Sequence, residues 1–174
     1  MRHTFKITYW LTLCLCLMAG LSTKAGNKLS IPDVVVGQGG TITLPVNLEN
    51  DDPVVALQFT LTVPDGFNIN TGKSALTTRK ADHAFRIKRM TGNDYLCMVY
   101  SPANTALSGN RGAVLNISVT APSSAAAGDT HPLLLSDAMA SNAAMEDVLT
   151  ETSAGVITIA EGVDLVPTDV AAGA

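Results

Sequence analysis

Between Thr41 and Gly66 apolar residues fall on every second position twice in succession, first at Ile42, Leu44, Val46 and Leu48, then at Val55, Leu57, Phe59, Leu61 and Val63. Side chains on a strand point alternately to opposite faces, so a period of two predicts two strands, each with one face in a core. Asn50, Asp51, Asp52 and Pro53 between them are turn formers. Such a pair predicts an antiparallel β architecture and carries no chemistry of its own.

The remainder of the chain repeats the pattern at short intervals, with Gly, Pro, Asn or Asp at each break, as in a sandwich. Leu29 to Val36 opens the series, and Gly37, Gly39 and Gly40 turn it into the strand at Thr41. Pro64, Asp65 and Gly66 turn again, Phe67 and Ile69 form a brief extended piece, and the polar run Thr71 to Thr78 reads as a loop. His83 to Met90 and Tyr95 to Ser101 follow as strands, then Ala113 to Thr120 with Ala113, Leu115, Ile117 and Val119 on one face. Pro132 to Leu135, Met145 to Glu151 and Val156 to Ala160 close the count at about nine strands. Ser136 to Leu149 has enough Ala and Met for a helical turn, but its Asn, Ser and Asp favour a loop.

Arg2 and Lys6 precede an apolar run, Leu11 to Leu21, that ends in small and polar residues through Ala25 and Gly26. This order reads as a secretory signal peptide over residues 1–25. The run is shorter than the ~20 apolar residues that span a bilayer, so no membrane span is expected after cleavage, and the product is expected outside the cell or on its surface. Cys14 and Cys16 lie within the run rather than behind a small residue at its end, which argues against a lipidated terminus. Removal of Arg2, Lys6 and Lys24 leaves eight Lys and Arg against fifteen Asp and Glu, a net charge of −7. That balance excludes nucleic acid as an expected partner, because such affinity rests on neutralising phosphates. Cys97 is the only cysteine beyond the leader, so the fold depends on burial without a disulfide. Residues 26–160 are expected to form one domain, and 161–174, acidic and then rich in small residues, a tail or linker.

The segments TITLPVNLEN, VALQFTLTVPDG, GAVLNISVTAPSSAAAG and LLLSDAMASNAAMEDVLTETSAGVITI, in this order and spacing, resemble a cohesin-type module over nearly all of Val34 to Ile159. The resemblance implies an all-β, nine-stranded jelly-roll β-sandwich that is extracellular, noncatalytic and specialised in binding. It also implies recognition of a dockerin-type protein through one exposed sheet face. In many cohesins the strand matching Val55 to Val63 presents an outward Asn and Asp; here those positions are Ala56 and Gln58. The acidic position that often follows the strand matching Leu96 to Tyr100 is Pro102. The charged acceptors of typical dockerin pairing are thus missing. Gln58, Thr60 and Thr62 leave a polar, uncharged face that suits a different protein partner or plain solvent.

Direct contact with a polysaccharide is the alternative, and it usually needs exposed aromatic faces. Trp10 lies in the leader, Phe59 and Phe67 fit the core, and Phe85, Tyr95 and Tyr100 remain as possible contacts. Tyr95 and Tyr100 are an odd number of positions apart, so they face opposite ways and cannot form one platform; polar loops could still hold a glycan. Ala56, Gln58, Thr60 and Tyr100 are therefore the candidate binding residues. Catalytic residues are not expected. His83 and His131 sit in no nucleophile or metal motif and read as surface histidines, Cys97 reads as a buried small hydrophobe, and Glu146 and Asp147 diverge on a strand. No cofactor and no metal are expected. Asn50, Asp51 and Asp52 offer oxygens but lack the spaced set of a calcium loop. Arg79, Lys80, Arg86, Lys88 and Arg89 place five of the eight remaining cations in one hairpin region, as a patch for an acidic partner or as the guard of an edge strand.

Overall fold

A computed structural model of the protein describes residues 26–161. The expected signal peptide, residues 1–25, and the expected tail beyond Glu161 lie outside the described residues. The strands are β1 (Asn27–Ile31), β2 (Val34–Val36), β3 (Thr41–Glu49), β4 (Ala56–Thr62), β5 (Asn68–Leu76) and β6 (Ala84–Arg89). They continue as β7 (Asp94–Tyr100), β8 (Ala113–Thr120), β9 (Thr130–Pro132), β10 (Leu134–Ser141), β11 (Leu149–Ala154) and β12 (Val156–Ile159). A five-stranded sheet in the order β11-β1-β3-β8-β5 and a four-stranded sheet in the order β10-β4-β7-β6 share one core, and a three-stranded sheet, β2-β12-β9, joins the first strands to the last.

The alternation seen in the sequence builds the facing layers. Leu44, Val46 and Leu48 of β3 and Leu57, Phe59 and Leu61 of β4 are all buried. They meet Leu115, Ile117 and Val119 of β8 and Cys97 and Val99 of β7 in one cluster. This is the all-β jelly-roll sandwich that the sequence predicts.

The strand count is twelve among the described residues rather than nine, for local reasons. Pro32 and Asp33 interrupt the expected Leu29–Val36 strand, handing the chain from one sheet to another. Proline lacks the N–H that a ladder needs. Thr71 to Leu76, expected as loop, belongs to β5. A bulge between Asn70 and Ala75 breaks its register with β8, and Ser74 bridges the break. The Ser74 hydroxyl donates to Asn70 O at 2.9 Å and accepts from Ser118 N at 3.0 Å, so a polar side chain sits where an apolar one would have revealed the strand. Leu134–Ser141 is likewise a strand, although part of it reads as loop. Asp137 there has φ 49°, and the register with β4 shifts between Ser136 and Met139, which hides the period of two. The strand expected at Met145–Glu151 begins only at Leu149.

Both chain ends of the sandwich run side by side. β1 pairs β11 and β2 pairs β12 in parallel, while the other pairings are antiparallel. At the crossing point Gly155 N donates to Ile31 O at 2.8 Å and Val156 N to the Asp33 carboxylate at 2.9 Å. A Cβ on Gly155 would lie 2.5 Å from Asp33 N and 2.6 Å from Pro32 C, so only glycine fits.

Candidate functional site

The outer face of the four-stranded sheet is set by register. One row across the strands reads Met139, Gln58, Met98, Arg86; the next reads Ser141, Ala56, Tyr100, Ala84. On the other side Ser136, Thr60, Leu96 and Lys88 align, and beyond them Leu134, Thr62 and Asp94. These residues alternate with the buried set Leu57, Phe59, Leu61, Tyr95, Cys97 and Val99, which fixes their outward direction. Ala56, Gln58, Thr60 and Tyr100 thus share one face, brought together by the antiparallel pairing of β4 with β7.

A shallow depression of about 200 Å³ lies on this face, lined among others by Ala56, Gln58, Met98, Tyr100, Met139 and Ser141. Met98 and Met139, which flank Gln58 in its row, are part of its lining. Among the described residues the exposed large hydrophobics are Val35, Met90, Leu134, Met139 and Met145. None of them is on the five-stranded sheet, whereas Leu134 and Met139 are on β10, Met90 follows β6 and Met145 follows β10. Val35 is on β2 of the three-stranded sheet, so only Leu134 and Met139 belong to the four-stranded sheet itself.

Met98 could have been found by extending the alternation of β7, which also puts Leu96 and Tyr100 outward. Met139 and Leu134 could not. Their place depends on β10 lying beside β4, a pairing of segments about eighty residues apart in sequence that no local period encodes.

Several expected surface residues are buried instead. Tyr95 is 4% exposed and packs inward, so it is no contact for a ligand. Arg89 lies over its ring at 5.7 Å. Arg79, expected in a basic surface patch, is 7% exposed. All five guanidinium N–H groups are satisfied. Nε donates to Ser108 O, one terminal nitrogen to Leu48 O and Gly112 O, and the other to Gly109 O and Asn50 Oδ1, at 2.7–3.0 Å. Arg79 therefore ties the end of β3 to the loop before β8.

The Asn50–Asp52 turn is similarly committed. Asn50 is buried, its amide donates to Asp52 O at 2.8 Å, and its Oδ1 faces the Arg79 cation. The buried Asn27 accepts from Asp51 N and donates to Val148 O and Asp52 Oδ2. Among the described residues no three His, Cys, Asp or Glu side chains converge as a metal site would require.

The histidines are not surface groups either. His83 is 7% exposed; its Nδ1 accepts from Ala81 N at 3.2 Å and its buried Nε2 has no partner among the described residues. Burial pulls its pKa down, against the opposing charge of Asp82. His131 is half-buried with its ring edge against Phe67 at 5.1 Å, and its Nε2 is also unpartnered among the described residues. Cys97 is buried, and desolvation pushes its thiol up to about 12, which keeps it protonated and unreactive.

Comparison with known proteins gives the fold its family. No curated protein matches the sequence significantly. Among solved structures, the chain is similar to a non-cellulosomal cohesin from the hyperthermophilic archaeon Archaeoglobus fulgidus, with a TM-score of 0.63, 17% identity, and 79% of this chain and 93% of that one covered. A cohesin from Clostridium acetobutylicum is similar with a TM-score of 0.66, 20% identity, and 78% and 91% covered. A type I cohesin–dockerin complex from Clostridium thermocellum includes a chain similar at a TM-score of 0.67, with 14% identity, and 77% and 99% covered. The family model for the cohesin domain matches residues 27–159, from the first strand to the last, and this chain belongs to the cohesin family.

Proposed function

We propose that this chain is an exported, noncatalytic recognition module that holds a protein partner on the outer face of the β10-β4-β7-β6 sheet. Its membership of the cohesin family supports a noncatalytic binding role. The observation that carries the choice of face is the lining of the depression: Met98 and Met139 flank Gln58, with Ala56 and Tyr100 in the adjoining row. Methionine side chains adapt to the shape of what they meet, and an apolar centre with a polar rim is the anatomy of a protein interface. A dockerin-type domain is the proposed partner class, since similar solved chains occur in complexes with dockerins. Export is part of the proposal and rests on the charged head, apolar run and small residues of positions 1–25.

The test is retention of proteins from the source's own secretome by the immobilised chain, run beside a glycan array. A dockerin-bearing protein retained by the wild type and lost by Gln58→Arg supports the proposal. Saturable glycan binding with no protein retained would replace it with direct carbohydrate recognition.

A further inference from the structure

The recognition face is chemically lopsided. β7 presents Leu96, Met98 and Tyr100 outward in one line, each half-buried. On one flank β6 sets Arg86 directly beside Met98 and Lys88 beside Leu96, and both cations are exposed. Neither has an ion-pair or hydrogen-bonding partner among the described residues. The salt bridges there are Lys28 with Glu151 and Arg111 with Glu49, both on the other sheet or its loops. On the opposite flank β4 offers the uncharged Gln58 and Thr60. The carboxylates of this sheet are spent or distant: Asp94 accepts from Thr62 at 2.6 Å, and Asp137 lies on β10, the far edge from β6.

Basic side chains on β6 also discourage pairing with another strand. That role accounts for the charge but not for the unpaired apolar line running beside it. Two unpartnered cations in register with two half-buried, outward apolar groups form a composite surface, attractive to a ligand that carries both features. In a chain of net charge −4, a local positive flank also orients an approaching acidic partner against the sign of the whole.

We infer that the partner presents an apolar ridge bordered on one side by carboxylates. The ridge seats over β4 and β7, between Met139 on one side and Met98 and Tyr100 on the other, and the carboxylates meet Arg86 and Lys88. This rests on the recognition reading above and adds the partner's chemistry and orientation to it. Because the cations are at the rim, their effect falls mainly on association rate and on salt dependence.

A displayed random-peptide library selected on the full chain at low salt tests the inference, with the affinity of the selected peptides measured by fluorescence polarisation. The expected result is enrichment of apolar sequences bearing two or more Asp or Glu on one side. Their binding should fall about tenfold or more in the Arg86→Glu/Lys88→Glu variant and weaken with added salt. Selection on that variant should lose the acidic bias. Thermal melts establish that the variant is folded, and Arg86→Gln/Lys88→Gln serves if it is not. Peptides that lose binding to Gln58→Arg but carry no acidic bias, or bind the charge-reversed variant equally, overturn the partner chemistry and leave the recognition face standing. Peptides indifferent to Gln58→Arg as well overturn the face itself. Saturable binding of heparin, used as a polyanionic polysaccharide, with no peptide selected, overturns a protein partner.

Discussion

Arg79 shows what a single side chain does in a fold with no disulfide among the described residues. Its guanidinium is buried without a carboxylate and is compensated by four carbonyls and the Asn50 amide oxygen. Desolvation lowers its pKa, but arginine stays charged at any working pH. Lysine has one nitrogen and cannot span five acceptors. Arg79→Lys should therefore destabilise the domain by about 2–4 kcal/mol, the scale of several buried acceptors left unpaired; urea denaturation measures it, and a change within experimental error would show the network to be decorative. His83 gives a pH signature. Its folded pKa is depressed by burial, so the unfolded chain takes up the proton first as pH falls below the ordinary histidine value. Stability then rises with pH across that window and drops on acidification from pH 7. Urea midpoints at pH 7.5 and pH 5 should differ for the wild type and converge for His83→Gln. Neither residue announces this in the sequence. Arg79 sits in the polar run Thr77-Thr78-Arg79-Lys80, and its acceptors come from two distant segments, 48–50 and 108–112.

Strands were legible wherever a period of two survived, and illegible where polar chemistry replaced it. Ile42 to Val63 encodes β3 and β4 because each second residue enters the core. The C-terminal half of β5 is hidden because Ser74 fills its bulge with a hydroxyl, and the outer half of β10 because Asp137 breaks the alternation. Ser74→Ala should leave the buried Ser118 N–H unpaired and cost about 1–3 kcal/mol, read as a lower thermal midpoint and faster amide exchange at Ser118. Parallel pairing of the first and last strands is equally invisible in any local window. It depends on Gly155, where an added methyl would press on the Pro32–Asp33 backbone. Gly155→Ala should cost at least about 1–3 kcal/mol, as overpacking does, and raise amide exchange in β1, β2, β11 and β12 ahead of β4 and β7. Uniform loss across all strands would show that the clasp is not a separate unit.

At the scale of the whole molecule, the two sheets present different surfaces to solvent. The five-stranded sheet shows solvent Thr41, Thr43, Asn47 and Glu49 from β3, whereas the four-stranded sheet shows the methionine-lined depression and its cationic border. Half of that second face was legible: Ala56, Gln58, Thr60 and Tyr100 follow from alternation along β4 and β7. The half formed by β10 was not, since the register Met139 with Gln58 exists only after the chain has folded back. The second face is where we propose that a partner is held. Isothermal titration of the retained dockerin-bearing protein into three chains tests it: wild type, Gln58→Arg and, on the other sheet, Thr43→Arg. Gln58→Arg should bind with a Kd at least about tenfold weaker, the loss that a bulky charge in an interface centre brings, and Thr43→Arg should bind as wild type does. Equal affinity for wild type and Gln58→Arg, or a loss confined to Thr43→Arg, would contradict it.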